Sequence, residues 1–387
     1  MADQYSSSIL LLLLITIIIF MNVDAKCSFQ GIFNFGDSNS DTGGFFAAFP
    51  PPLPLPFGIT YFHKPTGRLS DGRLQIDFLA QALQLPFLSP YLDSIGSDYS
   101  HGVNFATSAS PVLRPNGSDP IRGVTGVSPF YLDVQVKQME EFKRRVTERY
   151  EKTLNNTTDL PGPDIFGKAL YTIYIGHNDM VHRFAEVGLG GIRPYELRIS
   201  SGITKAIKKL YRLGGRTFFV QNLNPMGCYA AVLVLVPHDP SDVDATGCLA
   251  TLNQAIEDFN SLLKDALSKT RRELQDANII YVDTHSIISQ LFRRPKSYGF
   301  RYGIKACCGY GGGPYNFDAR IFCAESAVID GRNVTAGACC DPCDYVSWSG
   351  IHFTEAANKV IVEAILSETL FDPHFPLKKY CDVQPIG

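Results

Sequence analysis

No cluster of Lys and Arg in this chain is dense enough to form a nucleic-acid footprint. The 35 basic residues are spread along 387 positions and slightly outnumbered by 38 acidic ones, for a net charge of −3. Charge therefore names no partner. No Gly-rich phosphate loop and no metal-ligand spacing occurs, so the sequence implies no cofactor and no metal. Only one apolar run is long, Ile9 to Met21. It is short for a membrane span. It ends near Val23-Asp24-Ala25, which fits a small-residue cleavage site. The residues before it lack Lys and Arg, which a signal peptide usually has. We read 1–25 as a signal peptide and 26–387 as one soluble domain; an uncleaved anchor is the alternative. No internal repeat and no linker divides the remainder.

What the chain has in quantity is cysteine, ten residues, all after Ala25. An even count in an exported chain points to disulfides. Cys228 and Cys248 flank one loop and make a plausible pair. The adjacent pairs Cys307-Cys308 and Cys339-Cys340 do not match the two-residue spacing of zinc ribbons. Sequons at Asn116, Asn155, Asn156 and Asn333 agree with export and mark candidate glycosylation sites. The expected location is extracellular, with the cell wall or vacuole as variants.

The chain opens with a buried-strand pattern, Gly31 to Phe35, that breaks at Gly36-Asp37-Ser38. A serine on a sharp turn after a strand stands at the carboxyl edge of a sheet, where α/β folds place their chemistry. The competing reading is a helix cap. A proline-rich stretch, Phe49 to Phe57, reads as an extended surface loop beside Ser38 and a wall of its site. Residues 102–110 read as a second strand end followed by a turn of small residues, and strand patterns recur at 169–175, 217–223 and 278–283. They alternate with helical patterns at 74–83, 133–150, 199–213, 245–274 and 356–370, which predicts a mainly parallel α/β sheet. Residues 309–343, rich in Gly and Cys, read as irregular.

Four blocks then stand in order: Gly36-Asp37-Ser38, Asn104-Phe-Ala-Thr, Gly176-His177-Asn178-Asp179, and Gly350-Ile-His352-Phe-Thr-Glu-Ala-Ala-Asn358. Together they resemble the plant GDSL esterase/lipase family of the SGNH hydrolases, from Ile32 to about Leu370. The opening Asn-Phe-Gly-Asp-Ser-Asn-Ser-Asp-Thr-Gly-Gly resembles the early-nodulin-like and α-fucosidase-like branch. The resemblance implies a three-layer, flavodoxin-like α/β/α fold. It implies Ser38 as nucleophile and His352 as its base. It also implies an oxyanion hole from the Ser38 N–H, the Ala109 N–H and the Asn178 amide. A serine hydroxyl needs a positioned base to react, and a pre-aimed oxyanion donor is worth roughly 3 kcal/mol of barrier.

Two positions depart from the family pattern. Ser349 stands where the block normally has the triad Asp. A neutral hydroxyl can orient the imidazole but barely stabilises the imidazolium, and we expect a rate loss on the order of 10² to 10⁴. Asp344 or Asp341 is a possible substitute acid. Ala109 stands where Gly is usual, and is strained if the turn needs positive φ. His177, where Gln is usual in this branch, either touches substrate or packs at the sheet edge. The expected activity is a secreted serine esterase or lipase acting on a small-molecule or lipid ester. An acyltransferase or specialised-metabolite esterase, and an inactive glycoprotein of the same fold, are the alternatives.

Overall fold

The computed structural model describes residues 27–93, 95–115, 127–152 and 159–387. The proposed signal peptide and the sequons at Asn116, Asn155 and Asn156 lie outside the described residues. The central sheet is built from β1 (Ile32–Gly36), β2 (Gly102–Asn104), β3 (Leu170–Tyr174), β4 (Thr217–Gln221) and β5 (Asn278–Val282). Their apolar, β-branched and aromatic side chains are buried on both faces, as a sheet covered on both sides requires. The spatial order is β2-β1-β3-β4-β5, all parallel, with a final short strand Phe371–Asp372 antiparallel on the β5 edge. That is the flavodoxin-like order, whose topological switch point lies between β1 and β3.

Helices cover both faces. Leu132–Lys152, His177–Arg212 and Ala250–Glu273 pack side by side on one; Gln75–Ala82, Thr284–Arg293 and Glu355–Leu366 pack on the other. The result is a three-layer α/β/α arrangement. Gly36 of β1 is in register with Tyr174 of β3. The chain after Gly36 and the chain after Tyr174 thus leave the sheet at the same level.

Several elements differ from expectation. The helix expected at 245–274 starts at Ala250, because the Asp244 carboxylate takes the N–H groups of Thr246 and Cys248 and holds a turn there. The helix expected at 356–370 stops at Leu366, and Glu368 adopts φ 66° before the edge strand. Residues 309–343 are not wholly irregular: β7 (Ser326–Ile329) and β8 (Arg332–Thr335) form a hairpin. Its turn is Asp330-Gly331, with φ of 51° and 78°, the pairing that a two-residue hairpin turn favours. Flanking it, β6 (Tyr302–Ala306) pairs with β9 (Tyr345–Ser347).

Eight cysteines pair, as Cys27–Cys381, Cys228–Cys248, Cys307–Cys339 and Cys308–Cys323. Each adjacent cysteine of the 307–308 pair takes a different partner. Cys340 and Cys343 remain exposed thiols. Among the described residues, no helix is long and apolar enough to cross a membrane.

Candidate active site

Three chain segments leave the carboxyl ends of adjacent strands and meet at the switch point. β1 delivers Asp37 and Ser38, β2 leads to Ser108 and Ala109, and β3 leads to His177 and Asn178. The fourth segment, Trp348 to Phe353, arrives from β9. His352 Nε2 lies 2.9 Å from Ser38 Oγ, across 314 positions of sequence. On the other side of the ring, Nδ1 lies 3.1 Å from Ser349 Oγ. If Nε2 takes the serine proton, Nδ1 carries its own hydrogen and Ser349 Oγ accepts it. Burial at the foot of the cleft is the main force lowering the His352 pKa, to about 4; the Asp37 charge opposes this, and His177 adds to it.

Asp344 is not the partner of the imidazole. It sits in a short turn, Pro342–Asp344, and the hydrogen bond at Nδ1 belongs to Ser349. Asp341 caps the same turn by accepting the Cys343 N–H at 3.1 Å. The expectation of a substitute acid therefore fails at Nδ1: both aspartates precede β9 in the chain, whereas Ser349 and His352 follow it three residues apart.

Ser38, Ala109 and Asn178 line one cleft together with His352 and Ser349. Among the described residues, the backbone N–H groups of Ser38 and Ala109 donate to no protein acceptor. Asn178 Nδ2 donates to Ser110 O at 3.0 Å, which leaves the second hydrogen of that amide available. Ala109 has φ 60°, so the turn does need the left-handed region that glycine enters freely. His177 is not in the cleft wall. It is buried beneath it, with Nδ1 donating to the Asp37 carboxylate at 2.9 Å.

Two supports were not assigned roles from sequence. Asp41 is fully buried. It accepts from the N–H groups of Gly43 (2.8 Å), Gly44 (2.7 Å) and Ser108 (2.7 Å), and from Ser108 Oγ (2.8 Å). Burial raises its pKa against these bonds. It ties the Ser38 turn to the residue preceding Ala109. Similarly, Asp179 accepts from Val112 N (2.7 Å) and Leu113 N (2.9 Å), binding the Asn178 turn to the same loop; burial pushes its pKa up to about 7.

The segment carrying His352 is held from behind. Trp348 N donates to His352 O at 2.7 Å, and Ser70 Oγ donates to Phe353 O at 2.9 Å. Glu355 N donates to Asp71 Oδ1 at 2.7 Å, while the Glu355 carboxylate pairs with the Arg73 guanidinium at 2.8 Å. The run Gly67 to Arg73, with its charges set among Gly and Ser, was the available signal for this clamp.

The proline-rich loop does form a wall, through Pro51, Pro52, Leu53, Pro54 and Phe57. Phe322 to Glu325 stand in the cleft lining as well. Among the described residues, no group of three or more His, Cys, Asp or Glu is placed to hold a metal ion.

The sequence pattern of the family described as GDSL-like lipase/acylhydrolase matches residues 32–365. Over 372 residues the chain is 52% identical to a GDSL esterase/lipase of Arabidopsis thaliana, covering 96% of each. It is 41% identical over 357 residues to an esterase of Hevea brasiliensis, covering 92% of this chain and 90% of that one. It is also 44% identical over 342 residues to an Arabidopsis thaliana protein named alpha-L-fucosidase 3, covering 88% and 91%. The matched region contains all five parallel strands of the sheet and all four segments of the cleft, and the chain belongs to the GDSL-like lipase/acylhydrolase family, a family of carboxylic ester hydrolases.

Proposed function

We propose that the chain is a secreted serine hydrolase that cleaves carboxylic esters through an acyl-enzyme on Ser38. The observation that carries this reading is the 2.9 Å contact between His352 Nε2 and Ser38 Oγ. Nε2 takes the serine proton as Oγ attacks the ester carbonyl. The oxyanion is met by the N–H groups of Ser38 and Ala109 and by the Asn178 amide. The proton then passes from His352 to the departing alcohol. A water, deprotonated by the same ring, next attacks the acyl-enzyme and releases the acid. Throughout, Ser349 Oγ accepts the Nδ1 hydrogen. It fixes the tautomer and supplies no charge, so the enzyme runs below the rate a carboxylate would allow.

Export is supported by the apolar N-terminal run, the four disulfides and the exposed sequon at Asn333 in β8. The name of one relative raises glycoside hydrolysis, which needs two carboxylates flanking the sugar bond. Among the described residues, the acid in the cleft lining is Glu325 alone, and a serine holds the place of the nucleophile. The test is turnover of p-nitrophenyl butyrate by the purified chain. Activity lost in Ser38→Ala and His352→Ala supports the reading; activity unaffected by Ser38→Ala ends it.

A further inference from the structure

The cleft has a polar foot and apolar walls. Its volume of about 420 Å³ falls within the range of small-molecule sites. At ~30 Å³ for a group the size of water, it has room for roughly a dozen such groups. One wall is the short helix Gly44–Ala48 and the residue after it. The Phe45 ring lies 5.3 Å from Phe46 and 5.1 Å from Phe49, and Phe49 lies 5.9 Å from Phe130. Deeper, Phe57 meets the buried ring of Trp348 edge-on at 6.1 Å. Rings braced on rings, continued by prolines of fixed φ, form a wall that does not collapse into the space it encloses. Phe322 and Ile351 add further apolar surface to the lining.

Charge narrows the choice further. Among the described residues, neither Lys nor Arg lines the cleft, and Glu325 is its acid. The Glu325 carboxylate is exposed at the rim and anchored by the Phe322 N–H at 3.0 Å. Bidentate recognition of phosphate or carboxylate by Arg or by paired cations has no donor among the described lining residues. An acetyl group would leave most of the aromatic wall in contact with water.

We infer that the cleft selects uncharged esters carrying a long or bulky hydrocarbon acyl group, on the order of eight carbons. It discriminates against short acyl groups and against acyl chains ending in an anion. Phe45 and Phe49 set the length preference, and Glu325 sets the charge preference. This inference rests on the ester-hydrolase reading above.

The test measures kcat/KM of the full chain with monomeric p-nitrophenyl acetate, butyrate, hexanoate and octanoate, and with mono-p-nitrophenyl adipate, the hexanoate bearing a terminal carboxylate. Each methylene buried along the wall raises kcat/KM by up to about fourfold. Octanoate is expected to exceed acetate by on the order of 10²-fold or more, and hexanoate to exceed the adipate by about tenfold. The double variant Phe45→Ala/Phe49→Ala compresses the octanoate-to-acetate ratio by about tenfold, and Glu325→Gln narrows the gap between hexanoate and adipate. The wild-type series alone is decisive if the double variant does not fold. Acetate turned over as well as octanoate, with turnover still dependent on Ser38, overturns the acyl preference and leaves the hydrolase reading intact. No turnover of any ester, with Ser38 unreactive toward a fluorophosphonate, overturns both.

Discussion

Ser349 Oγ stands 3.1 Å from His352 Nδ1, on the edge of the ring opposite Ser38. The hydroxyl keeps the geometry of a triad and omits its charge. In the proposed mechanism the imidazolium formed as Ser38 attacks has no carboxylate at Nδ1. Restoring one is the most informative change to the site. Ser349→Asp is expected to raise kcat/KM on p-nitrophenyl butyrate by on the order of 10²-fold. An unchanged rate would mean that the imidazolium is already stabilised from another direction.

The same relationship governs the pH profile. Burial holds the His352 pKa down to about 4, so the free base persists well into acid. For the wild type, kcat/KM should be flat from about pH 5 upward and fall as pH drops through about 4. A carboxylate at position 349 favours the charged ring and raises its pKa. In Ser349→Asp the acid limb therefore moves to higher pH, even as the plateau rises. Profiles of the two proteins on one substrate check the sign. An acid limb at the ordinary histidine pKa in the wild type would contradict the desolvated ring.

Ala109 holds φ 60°, a conformation that costs an L-residue roughly 1–2 kcal/mol. Ala109→Gly relieves that strain and returns part of the gain as extra freedom of the unfolded chain. The net expectation is about 0.5–1 kcal/mol of added stability, a rise of about 1–2 °C in thermal midpoint. Calorimetry checks this. A lower midpoint would show that the Ala109 methyl packs favourably enough to outweigh its backbone.

Arg73 and Glu355 form a buried pair behind the His352 segment, at 2.8 Å. Glu355→Ala leaves the Arg73 guanidinium buried without its partner, at a cost of about 3–5 kcal/mol. Urea denaturation should show the loss. Esterase activity should fall as well, because one arm of the clamp that sets the position of His352 is gone. A variant of undiminished stability would mean that water or the ring of Tyr61, 4.0 Å from Arg73, replaces the carboxylate.

Much of the site was legible because its signals are local. Ser38 follows a five-residue buried strand and a Gly-Asp turn, and Asn178 follows another such strand. The register of Gly36 with Tyr174 then brings them to one level of the sheet. His352 was legible only through its block, since a lone histidine near a glycine carries no such message. The clamp from Ser70, Asp71 and Arg73 to Phe353 and Glu355 spans more than 280 positions. No spacing rule reaches that far. Two omissions had local cues. Asp330-Gly331 marks a hairpin turn. Asp283, followed by Ile287, Ile288, Leu291 and Phe292, marks a capped amphipathic helix, found at Thr284–Arg293. Buried Asp41 reads as part of a polar turn, because three of its five hydrogen bonds are local to that turn and the two from Ser108 form only once β2 lies beside β1.

The most direct test of the central claim is covalent. The purified chain is incubated with a fluorophosphonate and its intact mass and peptides are measured. The predicted result is a single phosphonyl adduct on Ser38, absent in Ser38→Ala and formed much more slowly in His352→Ala. A folded wild-type protein that gains no adduct, or gains it on another residue, would contradict the assignment of Ser38 as a nucleophile activated by His352.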